Sequence, residues 1–183
     1  FPKETSHWNP ALPVGCASAR RKMQFQQLYP EAVIQPVRGN VLTRLEKLDS
    51  GEHGALILAE AGLKRLGLSD RIAYRFSPEE LVPAAGQGIL AIQTRAGEYA
   101  DLLARLNSPD GALCAKTERQ LASLLGGDCS APVGCHAQLH GTDMTLYGFS
   151  GIGGVPRYGS VQGNRNDADL LVQQLASKLT ITE

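Results

Sequence analysis

Apolar and polar positions along the first 75 residues change period repeatedly. A short apolar run, 12–16, ends in Gly15-Cys16, and Ser18 stands where it can cap a helix that reaches Tyr29 and stops at Pro30. Residues 32–37 have strand character. Gly39-Asn40 then opens a second helix through Leu48, ended near Gly51. Residues 55–59 form a buried type of strand, and a short helix through Arg65 closes at Gly67. Three strand–helix alternations predict right-handed crossovers and a mostly parallel sheet.

The pattern changes after residue 82. Pro83-Ala84-Ala85-Gly86-Gln87-Gly88 predicts a flexible joint, and residues 89–94 a strand. A helix follows from about Asp110 to Leu125, with apolar positions at Leu113, Leu121, Leu124 and Leu125, and Gly126-Gly127 breaks it. Three strand-like stretches, 133–139, 144–149 and 157–162, are bounded by glycine, and Asp167 opens a closing helix through Leu179. Strands joined by short turns favour an antiparallel sheet faced by helices. The expected fold class is therefore α/β: a mostly parallel, periplasmic-binding-like sheet domain, then a small α+β domain with a three-stranded antiparallel sheet.

Composition narrows the class. Hydrophobic residues at 43% and charged residues at 20% suit a soluble globular chain, and no apolar run nears the roughly eighteen residues that would span a bilayer. No membrane partner is expected. The chain starts Phe1-Pro2-Lys3-Glu4 with neither Met nor a secretory pattern, so it is expected to be a stretch of a longer protein. Cysteines 16, 114, 129 and 135 form no C-x-x-C pair and have no histidine at zinc-ligand spacing. No metal is expected, and reduced thiols point to the cytoplasm.

The net charge of zero hides a split. Residues 1–75 carry eleven Lys/Arg against seven Asp/Glu, and residues 76–183 carry seven against eleven. A basic first half argues for an anionic ligand. Nucleic acid is not expected, since there is no basic run and few aromatics on which bases would stack.

Two constellations carry chemistry. Arg20, Arg21, Arg38, Arg44 and Arg65 fall at or soon after the carboxyl ends of the predicted strands, where parallel sheets bind ligands. A guanidinium fork matches carboxylates and phosphates two bonds at a time. Five such groups around one crevice would select a polyanion. The bland alternative is that each bonds a nearby glutamate or the carboxyl end of a helix. The second constellation is Gly126-Gly127-Asp128-Cys129-Ser130-Ala131-Pro132, a cysteine on bendable backbone that suits a thiol meant to be modified. Cys114 and Cys135 read instead as small packing residues. His7, His53, His136 and His140 are scattered and suggest no triad.

Four motifs in order resemble the hydroxymethylbilane synthase (porphobilinogen deaminase) family. Arg38-Gly39-Asn40-Val41-x-Thr43-Arg44-Leu45-x-Lys47-Leu48-Asp49-x-Gly51-Glu52 is similar to the family's RGNVxTRLxKLDxGE. Ile57-Leu58-Ala59-x-Ala61-Gly62-Leu63-Lys64-Arg65-Leu66-Gly67 resembles its ILAxAGLKRLG, and Pro83-Ala84-x-Gly86-Gln87-Gly88 its PAxGQG hinge. Gly127-Asp128-Cys129-x-x-Pro132-x-Gly134 resembles its cofactor-attachment loop.

The resemblance implies a transferase of porphyrin and heme biosynthesis that joins four porphobilinogen molecules head to tail with loss of ammonia. It implies a covalent dipyrromethane cofactor on Cys129. Its acetate and propionate groups, and those of the growing oligopyrrole, would be bound by Ser18, Arg20, Arg21, Arg38, Arg44 and Arg65. It also implies a monomer when complete. Residues 1–82 would correspond to the family's second domain, its first strand left open. Residues 83–106 would be the joint and the segment returning to a first domain, and 107–183 the cofactor-attachment domain.

Departures bear on activity. The family's usual GTSSLRR is here Gly15-Cys16-Ala17-Ser18-Ala19-Arg20-Arg21, two hydroxyls fewer, which predicts weaker cofactor binding. Asp128 replaces a usual glycine and would raise the pKa of the neighbouring thiol. The family's catalytic Asp lies in its first domain, and no acid of this chain takes its role. The chain alone is therefore expected to be inactive, with 89–106 exposed, mobile or paired with another molecule. A non-catalytic relative that binds a pyrrole or other polycarboxylate is the alternative. A solute-binding half-domain is disfavoured by the attachment loop.

Overall fold

The structure, a computed structural model, describes residues 8–128 and 130–180. The chain divides into two compact units, Phe1–Leu81 and Val82–Glu183.

In the first unit, β1 (Val14–Gly15), β2 (Ile34–Gln35) and β3 (Ala55–Leu56) form a parallel sheet in the order β2-β1-β3. The helices α1 (Ala19–Leu28), α2 (Val41–Asp49) and α3 (Glu60–Arg65) follow the three strands in turn. Strand alternation sorts the core onto two faces. Val14, Cys16, Ala55 and Ile57 pack with Phe25 of α1, while Leu56 and Leu58 pack with Leu45, Leu48 and Leu63 of α2 and α3. A sheet covered on both faces explains why these strands read as continuous apolar runs rather than alternating ones. Two helices begin where capping residues predict. Ser18 Oγ accepts from Arg21 N at 3.4 Å, and Asn40 Oδ1 accepts from Thr43 N at 2.9 Å.

In the second unit, α4 (Ala100–Leu106) and α5 (Pro109–Leu124) precede an antiparallel sheet of β4 (Val133–His140), β5 (Asp143–Ser150) and β6 (Arg157–Asn164), and α6 (Ala168–Leu179) closes the chain. Each of these strands has eight residues, and both ladders run their full length. Leu171, Val172, Leu175 and Leu179 of α6 and Leu121 of α5 meet Cys135, Ala137, Met144 and Leu146 in one core. Helix α5 ends as its glycines predict. Gly126 takes φ +69°, and Gly127 N donates to Ala122 O at 2.8 Å, the Schellman arrangement.

One predicted element does not form. Residues 89–94 are irregular rather than a strand, with Leu90 at 73% and Ile92 at 59% exposure. Strand geometry needs a neighbour to receive its N–H and C=O groups, and among the described residues none pairs with this stretch. Leu102 and Leu106 of α4 are also exposed.

Candidate functional site

The crest of the parallel sheet brings together part of the arginine set. Cys16 N donates to Gln35 O at 2.9 Å and Ile57 N to Gly15 O at 3.1 Å, so residues 16, 35 and 57 mark adjacent strand ends. Arg21, on the first turn of α1, reaches across them and donates from Nη1 to Ile57 O at 3.4 Å. Burial is the main cause that lowers the Arg21 pKa from its usual value. Cys16 works in the opposite direction, and the like charge of Arg44 lowers it further. Arg44, one turn into α2, donates from Nε to Gly39 O at 2.8 Å, which ties its guanidinium to the loop in front of that helix. Arg21 and Arg44 lie within electrostatic reach of one another, and an anion bound near both would relieve the repulsion of their like charges.

The other predicted residues fall differently. Arg20 is only 5% exposed, the most buried charged side chain of its helix. Ser18 has its hydroxyl engaged as the cap of α1. Arg38 is exposed in the loop between β2 and α2, next to the Gly39 that binds Arg44. Arg65 is exposed at the last position of α3, about one and a half turns from the start of that helix. Cys16, which stands where a hydroxyl is usual, is buried, and its thiol donates to Ser18 O at 3.6 Å.

Two acidic residues of this unit, Asp49 and Glu60, are engaged with other cations. Asp49 forms a forked pair with Arg71 at 2.6 and 3.2 Å. Glu60 binds Lys64 at 2.8 Å and Arg75 at 2.9 Å, and these hydrogen bonds hold its carboxyl below the usual range.

Cys129 lies outside the described residues. The loop around it is nonetheless defined on both sides. Asp128 Oδ1 accepts from Ser130 N at 2.8 Å, Ser130 Oγ at 2.7 Å and Ala131 N at 2.7 Å. Those three bonds push the Asp128 carboxyl below its ordinary value. The aspartate is therefore an ionised brace of the turn.

Sequence reasoning missed one residue, Glu118 on α5, which is 2% exposed and accepts from Gly86 N at 2.7 Å and Ala137 N at 2.9 Å. Its signal was available. Glu118 shares a helical stripe with Cys114, Leu121 and Leu125, and a carboxylate on an apolar stripe needs a buried reason to be there.

The donor chemistry of the first unit fits a ligand with several carboxylates: a partly dehydrated guanidinium at the carboxyl ends of parallel strands, with a second within electrostatic reach. Among the described residues there is no group of side chains that could hold a metal ion, and no helix is long and apolar enough to cross a membrane.

Comparison with known proteins agrees with this chemistry. Residues 2–102 match the family model "Porphobilinogen deaminase, dipyromethane cofactor binding domain", and residues 112–180 match "Porphobilinogen deaminase, C-terminal domain". Porphobilinogen deaminase of Acetivibrio thermocellus is 43% identical over 172 residues, 91% of this chain and 58% of that protein. Those of Thiobacillus denitrificans and Chromobacterium violaceum are 44% identical over 174 residues and 46% over 170, covering 57% and 55% of the relatives. The chain thus spans somewhat more than half the length of the curated relatives it matches.

Proposed function

The chain belongs to the porphobilinogen deaminase family, and on that premise we propose that it serves hydroxymethylbilane synthesis, the head-to-tail condensation of four porphobilinogen molecules with loss of ammonia. The observation that carries this reading is Arg21 extended over the strand ends within electrostatic reach of Arg44, inside the stretch that matches a dipyrromethane-binding domain.

Cys129 is the attachment residue, through a thioether. Ser18, Arg20, Arg21, Arg38, Arg44 and Arg65 receive the carboxylates of cofactor and oligopyrrole. Arg21 and Arg44 orient the ligand by charge-assisted bonds, worth about 1.5–3 kcal/mol each. Asp128 holds the backbone of the attachment loop by its three bonds. When bound, the dipyrromethane supplies the primer to which rings are added. Residues 1–82 correspond to the family's second domain, 83–106 to the joint and a returning segment, and 107–183 to the attachment domain. The protein is cytoplasmic, acts as a monomer, and has porphobilinogen and the growing oligopyrrole as its partners.

A second reading, binding without turnover, is favoured by the state of the carboxylates. Asp49 and Asp128 would be the substitutes for the family's catalytic acid. The first is bound in a forked ion pair, and the second is braced in a turn and held ionised.

Intact mass spectrometry of the chain produced in cells able to make porphobilinogen tests the shared core of both readings. The expected result is a mass increase of one dipyrromethane, mapped to the peptide that contains Cys129. An adduct on Cys114 or Cys135 would overturn the assignment.

A further inference from the structure

The second unit contains a buried carboxylate that the proposed chemistry does not use. β4 is an edge strand of its sheet, and its outward N–H groups would ordinarily invite another chain. Two of them are taken from within. Cys135 N donates to Pro83 O at 2.8 Å, and Ala137 N, the next amide along that edge, donates to Glu118 Oε1 at 2.9 Å. Glu118 Oε2 accepts from Gly86 N at 2.7 Å, and the imidazole of His136 lies 3.2 Å from Oε1. The approach of residues 82–83 to β4 is close. A Cβ on Gly134 would stand 2.8 Å from Val82 O and 3.1 Å from Pro83 O, so only glycine fits there.

A carboxylate that is 2% exposed is retained only where donors replace water. Here two backbone amides from separate segments point at different oxygens of one side chain. A glutamine could satisfy only one of them, because its NH2 group would face the other donor. The two elements this side chain joins, α5 and β4, are also the two arms of the loop that bears Cys129.

We propose that Glu118 is a positioning residue that locks residues 83–86 and the edge of β4 onto α5. Residues 83–86 and the frame of the attachment loop then move as one body. The functional part of this inference rests on reading Cys129 as the attachment site.

Hydrogen exchange on the 183-residue chain tests the lock without reference to activity. In the unaltered protein the amides of Gly86 and Ala137 are expected to be protected as well as those inside β5. A Gly86 amide that exchanges as fast as an open loop would overturn the proposal. In Glu118→Gln, Gly86 or Ala137 should exchange about tenfold faster or more while Leu146 is little changed. Uniform acceleration across the sheet, or none at either amide, would also overturn it. The fraction of folded protein carrying the cofactor should fall in the variant, which a purely structural role would leave unchanged. A parent chain without any adduct at Cys129 would refute the attachment reading and leave the exchange result to decide the lock.

Discussion

The two units spend their sequence differently. The first holds its sheet together by three strands of two residues each and divides its apolar residues between two small clusters. Its crest is left to backbone ends and guanidiniums. The second lays three eight-residue strands against α5 and α6 around one apolar core. Ligand sites in parallel sheets lie where the strands stop, so a short sheet brings helix starts and their arginines close to that edge. On the proposal that Cys129 carries the cofactor, its loop needs rigid arms, which long ladders and a continuous core provide.

The sharpest test of this division is turnover. If the first unit orients carboxylates and the second holds the cofactor without supplying the acid, the 183-residue chain given porphobilinogen should fall about 10²–10⁴-fold or more below an intact relative. Uroporphyrin measured after acid oxidation reads this. Rates near those of an intact relative would require an acid here, and Asp49 or Asp128 would then have to leave its present partners.

Next in size is core truncation. Leu175→Ala, in the single core of the second unit, should cost about 2–5 kcal/mol in urea denaturation, with Leu45→Ala in a small cluster of the first unit near the low end of that range. Equal losses would erase the contrast in packing.

Arg21→Ala and Arg44→Ala should each weaken noncovalent binding of a free pyrrole dicarboxylate by about 1.5–3 kcal/mol, roughly tenfold to a hundredfold. Equilibrium titration with a free pyrrole dicarboxylate, followed by absorbance, would measure this. Arg65→Ala, at the far end of α3, asks how far the anion site extends.

The smallest effect is a local titration. The folded Asp128 carboxyl is depressed, so the turn it braces is fully stabilised above the ordinary carboxylate range near about 3.9. That support is lost as pH falls through the folded value. The amide signals of Ser130 and Ala131 should move together in acid, and Asp128→Asn should abolish that transition.

Local chemistry made much of this molecule legible beforehand. Ser18, Asn40 and Gly126 act within four or five residues of themselves, so the starts of α1 and α2 and the end of α5 follow from nearest neighbours. Apolar period separated a parallel from an antiparallel region for the same reason, and the motifs from Arg38 to Gly134 sufficed for the family. What the sequence alone could not decide depends on partners far along the chain. Residues 89–94 have the composition of a strand but no neighbour to pair with. Asp49 is held by Arg71, twenty-two positions away, and Glu118 by amides at 86 and 137. Arg20 and Arg21 are adjacent, yet the turn of α1 buries one and extends the other over the strand ends. Hydrogen bonds and burial are settled by which surfaces meet in space, and only the folded chain brings those surfaces together.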